Sequence, residues 1–391
     1  MSNHNRYGAL LNDLAQRWQG IYSQLDQERI LQQAIAIQQI PAPTFSEENR
    51  AKYVEHRFGE IGLGHVQRDE MNNVYGWLGS PDSRQVILVS AHLDTVFPIE
   101  TRLDIRQDGH RVYGPGLGDN SLGVAGLLIL AEIFCKQIQP PNTTICFVAN
   151  TREEGLGNLD GIRAVRDTLT PQRIIAAVVL EGIALGRVYH AGIAVKRLKI
   201  TTQAEGGHSW FNFGRPSAIH QIVRLAADIT QLTVPTTPKT TYNIGMIEGG
   251  QSVNSIAAEA SLYLDLRSTT AASLAELEKQ VHSLLERHQT LVPVHVEIVG
   301  NRPAGMIPAN HKLVRIAQAV LGAIGRTGML ETGSTDANVL LAASIPAVVV
   351  GISQGGNAHR TDEFIDTQLV TEGIWQLILL LAAVATEFGH H

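Results

Sequence analysis

The chain has 391 residues, 44% of them hydrophobic, which suffices for one large domain and one smaller domain, each with its own core. Its formal net charge is −6 and only 17% of its residues are charged. No basic run is long enough to follow a phosphate backbone, so nucleic acid is excluded as a partner.

Met1–Arg17 is polar, lacks the apolar core of a signal peptide, and reads as a surface helix. Val86–Ala91, Thr144–Ala149, Ile174–Leu180 and Ile345–Val350 are short, apolar and β-branched, as buried parallel strands are. Leu122–Cys135 is apolar nearly all round, which predicts a helix deep in the fold. Cys135 and Cys146 both sit in apolar stretches and read as reduced core thiols of a cytoplasmic protein. The middle of the chain has another rhythm. Leu198–Ala204 is a strand candidate; Ser217–Gln231 carries Ile219, Ile222, Leu225, Ala226 and Ile229 on one helical face; Tyr242–Glu248 is a second strand. Ala260, Leu262, Leu264 and Leu266 alternate with polar residues, as in a half-buried strand. Leu274, Leu277, Val281, Leu284 and Leu285 follow helical spacing, and Val294, Val296 and Ile298 alternate again. The order β-α-β-β-α-β is ferredoxin-like. Residues 191–301 therefore read as an α+β domain inserted into an α/β domain of residues 1–190 and 302–391 with a mainly parallel sheet. Near the C-terminus, Ile374–Ala385 is shorter than the ~20 residues of a membrane span and reads as a buried helix, so no membrane is expected. The terminal His390 and His391, native or a tag remnant, carry no weight.

In open α/β sheets ligands bind beyond the carboxyl ends of the strands. There stand His92-Leu93-Asp94 after the first strand, Glu153-Glu154 after the second, Glu181 after the third, and a glycine-rich loop ending in His359 after the fourth. Asp119 follows Gly114-Pro115-Gly116-Leu117-Gly118 and opens the apolar helix. Singly, each has a plain explanation: Asp119 a helix cap, Glu153-Glu154 a solvated loop, His92 a core histidine. Together, Asp94, Asp119, Glu153, Glu154 and Glu181 on one rim would repel strongly without cations. No lysine or arginine cluster lies in these loops, so metal ions are expected. Asp119, Glu154 and Glu181 contribute three negative charges beside neutral His92 and His359, which two divalent ions and a hydroxide bring near neutrality. Such donors suit zinc, with cobalt or manganese as alternatives, and an Asp can bridge two ions.

These motifs, in order and context, resemble the co-catalytic dizinc metallopeptidase family that includes peptidase T, acetylornithine deacetylase and succinyl-diaminopimelate desuccinylase. The resemblance covers nearly the whole chain and implies a phosphorylase/hydrolase-like catalytic domain with an inserted lid and dimerisation domain. It implies that His92, Asp119 and Glu181 hold one metal, and Asp119, Glu154 and His359 the other. Asp94 orients His92, and Glu153 is the general base acting on a metal-bridging water. His208, in Gly206-Gly207-His208-Ser209, resembles the family histidine that reaches a partner subunit's site in a homodimer. Asn254 and Arg267 resemble substrate-binding lid residues; as plain alternatives, His208 is a loop residue and Arg267 a solvated arginine. The Gly333–Asn338 segment resembles a substrate loop, and its Ser334 and Asp336 before an apolar run equally suggest a helix cap.

Two other readings compete. Gly351-Ile352-Ser353-Gln354-Gly355 fits the serine-hydrolase pattern, but a loop rather than a helix is expected after Ser353. A non-catalytic peptide-binding protein has no need of Glu153. The expected activity is hydrolysis of an amide bond in a short peptide, with an N-acyl amino acid as the alternative substrate. The resemblance gives two conflicting cues to substrate: Asp119-Asn120 and the apolar helix after it resemble peptidase T and related aminopeptidases, whereas Glu rather than Asp at 181 resembles the family's carboxypeptidases and deacylases.

Overall fold

The four β-branched segments form the centre of one sheet. Val86–His92 lies between Thr144–Asn150 and Ile174–Ile183, and Ala347–Ser353 follows the latter; all three junctions are parallel. Every residue of Val86–His92, Thr144–Asn150 and Ala347–Ser353 is buried. Consecutive strand residues point to opposite faces, so both faces are covered there. The fourth strand begins at Ala347 rather than Ile345, because Pro346 has no N–H to give a neighbour. The third runs on past Leu180, so Glu181 lies inside it, opposite Gly351. Antiparallel strands finish both flanks: Gly64–Arg68 and Val74–Leu78 on one side, Arg187–Gly192 and Gly305–Met306 on the other. Met329–Gly333 adds in parallel to Arg187–Gly192. The sheet is thus parallel where the candidate residues emerge and mainly antiparallel at its margins.

This computed structural model describes residues 3–140, 143–170, 173–289 and 292–389, which leaves His390 and His391 outside the described residues. The chain divides into two units, one running up to Gly192 and resuming at Gly305, the other Ile193–Ala304. In the first, Leu122–Ile133 is a helix buried at every position but Glu132. The N-terminal helix, Asn3–Arg17, is more than a surface element: Tyr7, Leu11 and Leu14, at helical spacing, join the core. The C-terminal helix Val370–Phe388 is longer than its apolar centre suggests. Leu117–Ile138 and Thr367–Phe388 are both long and apolar enough, by length and composition, to cross a membrane. Most of each is buried within the protein, against the sheet and neighbouring helices.

The unit Ile193–Ala304 has a four-stranded antiparallel sheet in the order Thr240–Gly249, Glu259–Ser268, Ala194–Gln203, Val294–Arg302. Helices Ala218–Ile229 and Ala271–His288 pack on its two central strands and cover Leu198, Ile200, Leu262, Leu264 and Leu266. This is the ferredoxin-like arrangement. One expectation fails at its edge. Val296 and Ile298 alternate correctly but are 37% and 56% exposed, because the edge strand extends beyond the cover of the helices.

Candidate functional site

The parallel strand ends deliver four side chains to one place, and the loop before the helix Leu122–Ile133 adds Asp119. His92 closes its strand and is buried. The carbonyl of Asp94 accepts from its Nδ1 at 3.1 Å, which aims Nε2 at carboxylates. That Nε2 lies 3.2 Å from Asp119 Oδ1 and 3.7 Å from Glu181 Oε2. His359 arrives from the loop after Ala347–Ser353, its Nε2 3.1 Å from both Asp119 Oδ2 and Glu154 Oε1. Asp119 therefore stands between two imidazoles, with one oxygen toward each. Two overlapping groups, His92–Asp119–Glu181 and Asp119–Glu154–His359, each have ligand atoms within 4.8 Å of one another, and His92–Glu153–Glu154 forms a third.

Several plain readings are displaced. Asp119 caps no helix; Ser121 holds the cap position of Leu122–Ile133. Asp336 does not cap Ala337–Ala342 through its side chain. Its Oδ2 instead accepts from Asn150 Nδ2 at 2.7 Å, at the end of the second parallel strand. Ser353 is buried inside a strand, its hydroxyl donating to the Asp366 carbonyl, with Gly355–Gly356 following as a strand. No nucleophile elbow forms there.

The acids are held by their main chain. Asp94 Oδ1 and Oδ2 accept the N–H groups of Glu153 and Glu154, both at 2.9 Å, and Oδ2 also accepts from Thr44 at 3.0 Å. The Asp94 carboxylate lies farther from His92 Nδ1, at 3.5 Å, so it serves the glutamates more directly than the imidazole. The buried Arg50 donates to the carbonyls of Leu93 at 2.7 Å and Ile40 at 2.7 and 3.1 Å. Asn120 donates to the Leu180 carbonyl and accepts from the Gly182 amide, each at 2.9 Å, bracketing Glu181. Gly182 allows this approach, since a Cβ there would sit 2.1 Å from the Gly118 carbonyl oxygen. Arg50 and Asn150 carry no sequence signal of their own, and Asn120 stood out only beside Asp119. Their partners are chiefly main-chain atoms, which any residue supplies.

Electrostatics follow from this crowding. Burial pulls the His92 pKa down, but Asp119, Asp94 and Glu181 outweigh it and raise it well above the ordinary value. Asp119 and Glu154 push His359 up to about 10. Burial works to raise Asp119, yet His359 and His92 hold it well below the usual carboxylate range. Glu154 and Glu181 go the other way, up to about 7, because burial disfavours their charge. The charge of Glu153 adds to the rise of Glu154, Glu181 and Asp336, three groups from three different segments. Without a cation, this cluster is reconciled by protons on its imidazoles and glutamates.

In the other unit, Gly207–His208 pairs with Ser255–Ile256, and the Ser209 amide donates to the Asn254 carbonyl at 2.9 Å, so His208 and Asn254 are neighbours. The His208 ring lies 4.9 Å from that of Phe211, and its Nδ1 accepts from the Trp210 amide. Arg267 sits on Glu259–Ser268 with its Nε on Asp265, which Arg197 shares. That bond uses only one corner of the guanidinium fork.

A family model described as peptidase family M20/M25/M40 matches residues 88–385. The chain is 27% identical over 309 residues to an acetylornithine deacetylase of Shigella sonnei, covering 73% of this chain and 76% of that one. A tripeptidase from Staphylococcus aureus has the same fold, with a TM-score of 0.75 and 21% identity over 93% of this chain and 99% of its own. A Bacillus subtilis protein named a dinuclear metal binding peptidase gives a TM-score of 0.66 and 14% identity over 93% and 99%.

Proposed function

We propose that this chain, which belongs to peptidase family M20/M25/M40 and is a hydrolase, cleaves the amide bond of a short peptide at a two-metal centre. The observation that carries this reading is the Asp119 carboxylate, with His92 Nε2 at 3.2 Å from one oxygen and His359 Nε2 at 3.1 Å from the other. One carboxylate flanked by two nitrogen donors suits a pair of ions that share a ligand. His92, Asp119 and Glu181 would hold one ion, and Asp119, Glu154 and His359 the second. The mixed imidazole and carboxylate donors favour zinc, with cobalt and manganese next. Bound there, the cations would polarise the scissile carbonyl and acidify water.

The remaining chemistry belongs to side chains. Glu153 takes a proton from the attacking water as its oxygen bonds to the carbonyl carbon. It returns that proton to the amine nitrogen as the C–N bond breaks. Asp94 keeps the base and the ligand Glu154 in register by binding both their amides. Arg267 offers its planar fork to a substrate carboxylate, and Asn254 and His208 bind the substrate. His208 is supplied by a second copy, in a homodimer formed through Ile193–Ala304. The outer strand Thr240–Gly249 supports a dimer: it is an edge strand with Met246 and Ile247 exposed, a surface that invites pairing. The same reading places the protein in the cytoplasm, where the free thiols Cys135 and Cys146 stay reduced.

The resemblance to a deacetylase favours a second substrate, an N-acyl amino acid, on the same machinery. Dipeptides, tripeptides, N-blocked peptides and N-acetyl amino acids, assayed with zinc, cobalt or manganese, separate the two readings. A required free amine marks an aminopeptidase, whereas a required free carboxylate marks a carboxypeptidase or deacylase. Glu153→Ala is expected to lower kcat by about 10²–10⁴-fold with metal content unchanged. A variant that keeps its rate refutes the mechanism.

A further inference from the structure

Each acidic ligand candidate is gripped through its own or its neighbours' backbone by a side chain from elsewhere in the chain. Asp94 grips Glu153 and Glu154, and Asn120 brackets Glu181. The third grip belongs to Glu363, four positions past His359. Its Oε1 accepts from the Gly118 amide at 2.6 Å and the Asp119 amide at 2.8 Å. Its own carbonyl accepts from Gly114 at 2.9 Å, so Glu363 holds both ends of the Gly114–Asp119 loop. Glu363 is fully buried. Gly118 gives the carboxylate room, since a Cβ there would lie 3.1 Å from Oε1.

A buried carboxyl beside Asp119 adds to the repulsion of an already acidic site. An apolar residue of the same volume would fill the space without that cost. The contacts that offset it are backbone amides: those of Gly118 and Asp119 on a single oxygen, with that of His359 also favouring the charge. The first two amides belong to the residue whose carboxylate must face two histidines at once, and to the residue just before it.

We propose that Glu363 is a positioning residue for the shared ligand: by holding the amides of Gly118 and Asp119 it sets the main chain so that the two Asp119 oxygens face opposite histidines. This rests on reading Asp119 as the ligand common to both metals. Losing the grip leaves Asp119 free to turn toward one ion, which weakens binding of the pair and uncouples the two ions.

Two conservative variants separate position from charge. Glu363→Gln keeps the reach and an accepting oxygen but loses the charge; Glu363→Asp keeps the charge on an arm one methylene shorter. Metal-free, full-length protein is titrated with zinc by calorimetry. The manganese-loaded forms are compared by electron paramagnetic resonance, and thermal melts confirm folding. Glu363→Gln is expected to bind two zinc ions within about threefold of wild type and to keep the spin-coupled manganese signal. Glu363→Asp is expected to lose roughly 10–100-fold in affinity and to show uncoupled ions, as loss of a residue that orients a ligand does. Equal binding by the two variants, or weaker binding by Glu363→Gln, overturns the proposal. Wild-type protein that binds no pair of ions would instead overturn the two-metal reading beneath it.

Discussion

Zinc added to the metal-free protein should expel protons, and the site's electrostatics set how many. At pH 7, His359 with a pKa of about 10 is protonated, and so is His92, raised well above its ordinary value. Glu154 and Glu181, both near 7, are each about half protonated. Metal ligands must give up their protons, so filling both positions should release about three protons per chain from the ligands, and a further one where a metal-bound water ionises. Calorimetric titration in buffers of different ionisation enthalpy counts them directly. Release of fewer than one proton per chain would show that the imidazoles are neutral without metal, and that the acids are not crowded around them as described.

The same shifts predict how stability follows pH. The pKa of His359 in the fold exceeds its unfolded value, so its pairing stabilises the metal-free protein fully below about pH 6.5 and is lost as pH rises through 10. Glu154 and Glu181 are also raised, so their contribution is full below about pH 4.5 and is lost as pH rises through 7. Asp119 is depressed and opposes them only in acid, where its contribution is lost as pH falls below about 4. Bound metal has the opposite trend, because affinity grows as the protons leave. At a hundredfold excess over Kd, two sites add about 5 kcal/mol. The gap in Tm between zinc-loaded and chelator-treated protein should therefore widen from pH 6 to pH 9. A gap that narrows refutes the argument.

Two further results are expected. Arg50→Met removes a buried cation from beside Asp94 and Glu47 and strips donors from the Leu93 and Ile40 carbonyls, and should cost about 3–5 kcal/mol in urea unfolding; a loss under 1 kcal/mol would show that those groups relax without it. If His208 acts across a dimer, mixing the inactive variants Glu153→Ala and His208→Ala should restore about a quarter of wild-type turnover, since each mixed dimer regains one intact site; no recovery on subunit exchange would place His208 in its own chain's site.

Much of the candidate site was legible because two signals coincide at the same positions. β-Branched runs mark the buried parallel strands, and the residues just past such strands form the rim where ligands bind. His92, Glu153, Glu154, Glu181 and His359 could be picked out by position, and Asp119 by its loop and the apolar helix behind it. The ferredoxin-like order was legible for a similar reason, since alternation and helical spacing switch cleanly between residues 194 and 302. Patterning misleads where cover is incomplete. Val296 and Ile298 alternate like core residues but lie past the helices, and helical spacing of Tyr7, Leu11 and Leu14 was masked by the polar residues between them.

The residues that hold the site together were illegible for a deeper reason. Glu363 and Arg50 act on backbone amides and carbonyls, so nothing in the identity of their partners announces them; Asn120 was visible beside Asp119, but its hold on the main chain around Glu181 was not. Asp94 was visible only because it follows a histidine by two positions; its grip on Glu153 and Glu154 crosses 59 and 60 residues of sequence. Yet these grips answer the question raised by the charge. Asp119 and Glu154 both lie 3.1 Å from a single imidazole nitrogen, so each needs a main chain that does not recoil when that imidazole loses its proton. Backbone amides fixed by Asp94 and Glu363 resist that recoil through hydrogen bonds, each contributing about 0.5–3 kcal/mol according to how far the accepting carboxyl is ionised, and burial pushes Glu363 up to about 7. The donor set is then held in place by the fold before a cation arrives, and exchange of protons for metal can proceed without rebuilding the loops.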